Sequence, residues 1–193
     1  ADTMGVKTSL EAAQDKYDEL KEQADKDAAD KAAADAVSAK IDAIGAVEDI
    51  TLGSKTAIDD ARAAYEGLTE EQKTLVDKDK LKALENAEKK LTELELTKAK
   101  EDAKADISSY KNMDDYRDQQ KQELADIIAD AGEAIDKADD KEAIEEIITS
   151  AKDEMDKVKT DAQLTEEEEQ AAKAEADKKA AEEVDALIDA VGS

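Results

Sequence analysis

Residues 79–110 read DKLKALENAEKKLTELELTKAKEDAKADISSY, and neither Gly nor Pro interrupts them. Leu81, Leu84, Leu91 and Leu94 recur at the spacing that lines up side chains on one face of a helix. Ala99, Ala103, Ile107 and Tyr110 continue the pattern. If continuous, this helix is about 48 Å long at ~1.5 Å per residue. A helix of that length predicts an element that closes one bundle and opens the next.

The segments on either side carry the same helical signal. Upstream, Val6, Leu10, Ala13, Tyr17, Leu20 and Ala24 step by three and four. The seam thins to Ala over 25–33 and resumes at Ala34, Val37, Ile41 and Ile44. One helix is predicted from about Ser9 to Ile44, ended by Gly45, since Gly accepts the left-handed conformation without Cβ strain. After a loop over 46–53, Ser54 is expected to cap a helix with Ile58, Ala61, Tyr65 and Leu68 as its seam and Gly67 at its close. Thr69 and Gln72 fit a capping box, in which side chains satisfy the free N–H groups at a helix start.

Downstream, Asn112 or Asp114 is expected to start a helix with Met113, Tyr116, Leu124, Ile127, Ile128, Ala131 and Ile135 on one side. Gly132 sits inside it, at a cost of ~1 kcal/mol relative to Ala. Asp139 or Asp140 caps the next helix, whose stripe of Ile144, Ile147, Ile148, Ala151, Met155 and Val158 is the cleanest in the chain. A loop DAQL then precedes Thr165, the expected cap of a final helix with Glu166–Glu169 in its first turn.

The chain also repeats itself. Residues 30–45, DKAAADAVSAKIDAIG, return as residues 177–192, DKKAAEEVDALIDAVG, identical at ten of sixteen positions with an offset of 147. A fixed internal period marks a modular array. Residues 152–159, KDEMDKVK, align more loosely with residues 14–21, QDKYDELK, placing Met155 on Tyr17 and Val158 on Leu20. The period thus predicts two different helical units bracketed by pieces of neighbouring ones.

Composition narrows the function classes. Charged residues make up 42% of the chain and the net charge is −26. Leu, Ile, Val and Phe together reach about 17%, under the ~20% below which high charge favours disorder. Absent Pro and the helical recurrence of the apolar residues point instead to helices that must pair their stripes, because single amphipathic helices are marginal in water. Cys and His are both absent, which removes thiol and imidazole chemistry, disulfides and Cys- or His-ligated zinc. No window is apolar enough to span a membrane, and the ADTMG start has no apolar leader core. The acidity repels nucleic acid and anionic membranes.

Site chemistry is sparse. The best acidic loop for calcium starts at Asp136, but it has Ala138 at position three, Lys141 at six and Ile147 at twelve, where an EF-hand needs an oxygen ligand, Gly and Glu. The carboxylate pairs Asp59–Asp60, Asp114–Asp115 and Asp139–Asp140 read as solvated faces or caps, since catalytic carboxylates need a pocket that shifts their pKa values. Tyr17, Tyr65, Tyr110 and Tyr116 are the only aromatics. Tyr65 and Tyr116 fall on apolar stripes, and Tyr110 and Tyr116 flank the KNMDD turn. Arg62 and Arg117, the only arginines, read as structural ion pairs. No catalytic, cofactor-binding or metal-ligating residue is assigned, and no cofactor is expected.

Residues 54–76, SKTAIDDARAAYEGLTEEQKTLV, resemble a repeated helical module of Gram-positive extracellular and cell-wall-anchored proteins. The pattern SK, I, AR, AY, LT, QK, LV is carried by Ser54, Lys55, Ile58, Ala61, Arg62, Ala64, Tyr65, Leu68, Thr69, Gln72, Lys73, Leu75 and Val76. Residues 34–47 match the helix that precedes it in that class. Residues 109–117, SYKNMDDYR, and 151–165, AKDEMDKVKTDAQLT, are similar to a companion unit, with Met113 where Pro often stands. The resemblance implies bundles similar in outline to spectrin repeats, in a surface-attached parent, and it brings no catalytic residues.

The expected fold is all-α: tandem three-helix bundles joined end to end by a long shared helix into an elongated rod. The expected divisions are residues 1–24 as the tail of a preceding module, 25–97 and 98–163 as three-helix units, and 164–193 as the first helix of a further, truncated module. The expected function is a non-catalytic stalk or spacer of a bacterial surface protein, extracellular and cell-wall-attached. The alternative is an adhesion module gripping a host or partner protein, with Leu52, Leu96 and Leu164 as candidate off-seam contacts. The expected partners are neighbouring modules of the same chain, with no nucleic acid, no membrane insertion and a monomeric state.

Overall fold

The computed structural model describes the backbone from Thr3 to Gly192, and the side chains in that range other than those of Thr3, Met4 and Val6. The seam residue Val6 therefore lies outside the described side chains. Among the described residues the chain forms seven α-helices and no strand. They are α1 (Thr3–Ile44), α2 (Lys55–Glu66), α3 (Glu70–Lys73), α4 (Lys78–Ser109), α5 (Asp118–Lys137), α6 (Lys141–Met155) and α7 (Asp161–Val191). The absence of Pro and the abundance of Ala, Glu, Lys and Leu favour helix throughout. The chain divides into two compact units, Ala1–Glu95 and Leu96–Ser193, so the division falls inside α4.

In the first unit, Val37 and Ile41 of α1 meet Ile58 and Ala61 of α2 and Leu84, Ala87 and Leu91 of α4 in one core. Leu84 is fully buried, and burying such a side chain contributes ~1.5–3 kcal/mol. Ile50 joins them from the 46–53 loop, which folds into 3-10 turns at Val47–Asp49 and Leu52–Ser54. Polar contacts fix the edges. Arg62 Nε and Nη2 each donate to the Glu88 carboxylate at 2.6 Å, linking α2 to α4. Gln72 Nε2 donates to Asp30 Oδ1 at 2.8 Å, linking α3 to α1, and Lys80 pairs with Asp42. The Thr69–Gln72 capping box forms as expected. Gly45 ends α1 in the left-handed region, with φ +89°.

In the second unit, Ala103 and Ile107 of α4 share a core with Leu124, Ala131 and Ile135 of α5 and with Ile144, Ala151 and Met155 of α6. Tyr116, Ala138 and Val158 close it from the connecting turns. Asp140 caps α6 by accepting the Ala143 N–H at 2.8 Å. No polar or charged residue is buried among the described residues, so both cores are wholly apolar.

Ser54 is the N-cap residue of α2, as expected, but its side chain makes no capping bond; its hydroxyl accepts the Thr51 N–H at 3.1 Å, inside the preceding turn. Two expected helix starts are corrected. Asn112 caps only a 3-10 turn, Met113–Asp115, and α5 begins later, at Asp118. Thr165 is not the cap of α7. Thr160 is, with Gln163 as its capping-box partner, so the DAQL segment is the first turn of the helix. Two Thr-x-x-Glu/Gln patterns compete there, and the earlier one closes the box while placing Asp161 and Thr165 on one face.

Candidate functional site

Among the described residues, two apolar stripes lie open to solvent, one on α1 and one on α7. Residues 7–29 of α1 are exposed along their whole length, and Leu10, Tyr17 and Leu20 form a stripe on that free face. Residues 165–192 are likewise exposed, and Val184, Leu187, Ile188 and Val191 line one side of α7. The internal repeat gives these stripes meaning. Val37 and Ile41 are 3% and 4% exposed, whereas their counterparts Val184 and Ile188 are 53% and 62% exposed. The same holds for the looser alignment. Met155 and Val158 are buried in the core of the second unit, while Tyr17 and Leu20 face solvent. Each open stripe therefore has an aligned counterpart, close for α7 and looser for α1, that is packed elsewhere in the chain.

One arginine fixes how α7 starts. Arg117, just before α5, donates from Nε to Asp161 and from Nη1 to Glu168, while its Nη2 donates to Thr165 Oγ1 at 3.0 Å. Asp161, Thr165 and Glu168 are spaced i, i+4 and i+7, so one guanidinium spans two turns of a single helix face. Thr165 Oγ1 also donates to the Asp161 carbonyl at 2.8 Å. The Glu168 and Asp161 carboxylates hold the Arg117 pKa above the ordinary guanidinium value, and Arg117 lowers that of Glu168. Lys159 adds a pair to Glu167 at 2.6 Å. The sequence reading of Arg117 as a structural ion pair holds, and so does that of Arg62.

The other singled-out residues serve the fold. Tyr65 packs against the first core and Tyr116 is buried in the second. Tyr110 accepts two flanking ammonium groups, Lys111 and Lys152, each 4.9 Å from its ring centre, and its hydroxyl donates to the Asp156 carboxylate at 3.1 Å. Lys111, then Tyr110, hold the Asp156 carboxyl below its usual range. Asp59 pairs with Lys55 and Asp140 caps α6. Asp114 and Asp115 sit exposed in their turn, and Asp136 pairs with Lys104 at 2.6 Å. Leu96 packs on the second core and Leu164 is half-buried; of the three candidate contacts only Leu52 is exposed.

Sequence reading missed the open surfaces because it read Leu10, Tyr17 and Leu20 as seam and took residues 177–192 only as a repeat of residues 30–45. The depressions among the described residues are open grooves, such as the one along α5 and α6 lined by Gln119, Gln122, Asp126, Asp130, Glu154 and Lys157. None of the described helices is long and apolar enough to cross a membrane, and no described cluster of three or more carboxylates is placed to hold a metal ion. Comparison with known protein families, curated proteins and solved structures finds no match.

Proposed function

We propose that this chain is a non-catalytic structural spacer built of tandem three-helix units. In this reading α1, α2 and α4 form one unit, α4, α5 and α6 form the next, and the shared helix sets them end to end as an elongated rod. The observation that carries it is α4, one uninterrupted helix that supplies Leu84 and Leu91 to one apolar core and Ala103 and Ile107 to another. In this reading, a helix committed to two cores transmits length from one unit to the next. The function of such an element is to hold something else at a distance. A cell-wall-attached, extracellular parent from a Gram-positive organism is part of the same proposal. It rests on the resemblance of residues 54–76, and the lack of Cys is compatible with it.

Small-angle scattering tests the rod. A compact chain of this length has a radius of gyration of about 16 Å. The spacer reading predicts about twice that or more in moderate salt, and a value near the compact one would sink it. A second reading, adhesion to a host or partner protein, is favoured by the apolar stripe at Val184, Leu187, Ile188 and Val191. It predicts that immobilised chain retains a protein from host fluid and that Ile188→Asp releases it.

A further inference from the structure

The internal repeat reaches further than the apolar seam. At the same offset, Lys26 returns as Lys173, Asp30 as Asp177 and Asp42 as Asp189. These positions matter because of what they do in the first unit. Asp30 receives Gln72 from α3, and Asp42 receives Lys80 from the start of α4. Between them, Val37 and Ile41 share one core with Ile58 and Ala61 of α2 and Leu84 and Leu91 of α4, and Ala34 is buried as well. So α1 touches the rest of its unit through an acid, a three-residue seam and a second acid. In α7 the same set is Asp177, then Ala181, Val184 and Ile188, then Asp189, and all five are exposed.

We propose that residues 177–191 are a preformed docking face for one occupant: a helical hairpin with the chemistry of residues 54–94, joined after Gly192 as residues 46–94 are joined after Gly45. This deepens the spacer reading and rests on it. The hairpin's Ile/Ala and Leu/Ala seams cover Ala181, Val184 and Ile188. An amide donor at the position of Gln72 reaches Asp177, and an ammonium at the position of Lys80 reaches Asp189. The charge complementarity is specific, since two carboxylates flanking an apolar stripe select a hairpin with donors at both ends of its own seam. One departure sharpens the assignment. Leu187 stands where α1 has the exposed Lys40, so Leu187 stays outside the docked seam even though it is apolar.

The test extends the full chain with a copy of residues 46–97 in place of Ser193 and follows amide exchange by mass spectrometry. The expected result is that protection over residues 181–191 rises at least about tenfold, toward that of residues 34–44 in the same molecule. Ile188→Asp abolishes the gain, and Leu187→Lys leaves it intact. Residues 54–94 of the same molecule report that the parent fold is preserved. If residues 181–191 and the appended hairpin both remain unprotected, the proposal is overturned. It is equally overturned if protection appears in the unextended chain with rising concentration and sedimentation as a dimer, which makes a second copy the occupant, or if Leu187→Lys is as damaging as Ile188→Asp. Scattering on the extended chain separates the two claims. A compact particle with protected α7 refutes the rod alone, and a long particle with unprotected α7 refutes the docking face alone.

Discussion

Gly45 and Gly132 each have open space where a Cβ would stand, with no neighbouring atom within 4 Å. They differ in backbone. Gly45 sits at φ +89°, a conformation that costs an L-residue ~1–2 kcal/mol, while Gly132 lies inside α5. Gly45→Ala is therefore expected to destabilise the first unit by about 1 kcal/mol or more. Gly132→Ala is expected to stabilise the second by ~0.5–1 kcal/mol, because Ala loses less backbone entropy in a helix. Thermal unfolding of the two variants checks the opposite signs.

At the scale of the element, α7 is held at its start by Arg117 and exposed over residues 165–192. Arg117→Ala should leave α5 and α6 packed while exchange over residues 161–170 accelerates, as read by hydrogen exchange. The link also sets a pH dependence. The folded pKa of Glu168 is lowered by Arg117, so the unfolded chain binds more protons as pH falls through this range. The stabilisation is complete above the unfolded value, about pH 4.3, and is lost as pH falls through the lower folded value. Protection of the first turns of α7 should thus decline below about pH 4 in the wild type. In Arg117→Ala that decline should be missing, since the low protection is already present at neutral pH.

Much of this element map was legible in the residues. The 3.6-residue recurrence located α2, α4, α5 and α6, and the buried residues of α6, Ile144, Ala151 and Met155, all belong to the expected stripe. What periodicity could not reveal is whether a stripe is covered. Leu10 and Val184 have the spacing of seam residues and lie in solvent, because covering depends on a helix elsewhere in space. Ile50 shows the converse: it is buried from a loop, where no period exists to mark it. The start of α7 lies five residues before the expected one because two capping patterns overlap; the earlier one closes its box at Gln163 and puts Asp161 within reach of Arg117.

At the scale of the whole molecule, a net charge of −26 on 193 residues opposes compaction of each unit. The Debye length shrinks from ~30 Å at 0.01 M to ~8 Å at 0.15 M salt, so adding salt over that range should raise the thermal midpoint. An unchanged midpoint would mean that local pairs such as Arg62–Glu88, which salt weakens, offset the relief. The central claim is that the two copies of the repeat differ in covering and not in kind. Hydrogen exchange on the dilute 193-residue chain tests this within one molecule, because residues 34–44 and 181–191 are aligned copies, identical at six of eleven positions. The account predicts slow exchange over 34–44 and fast exchange over 181–191; equal protection of the two segments would contradict it.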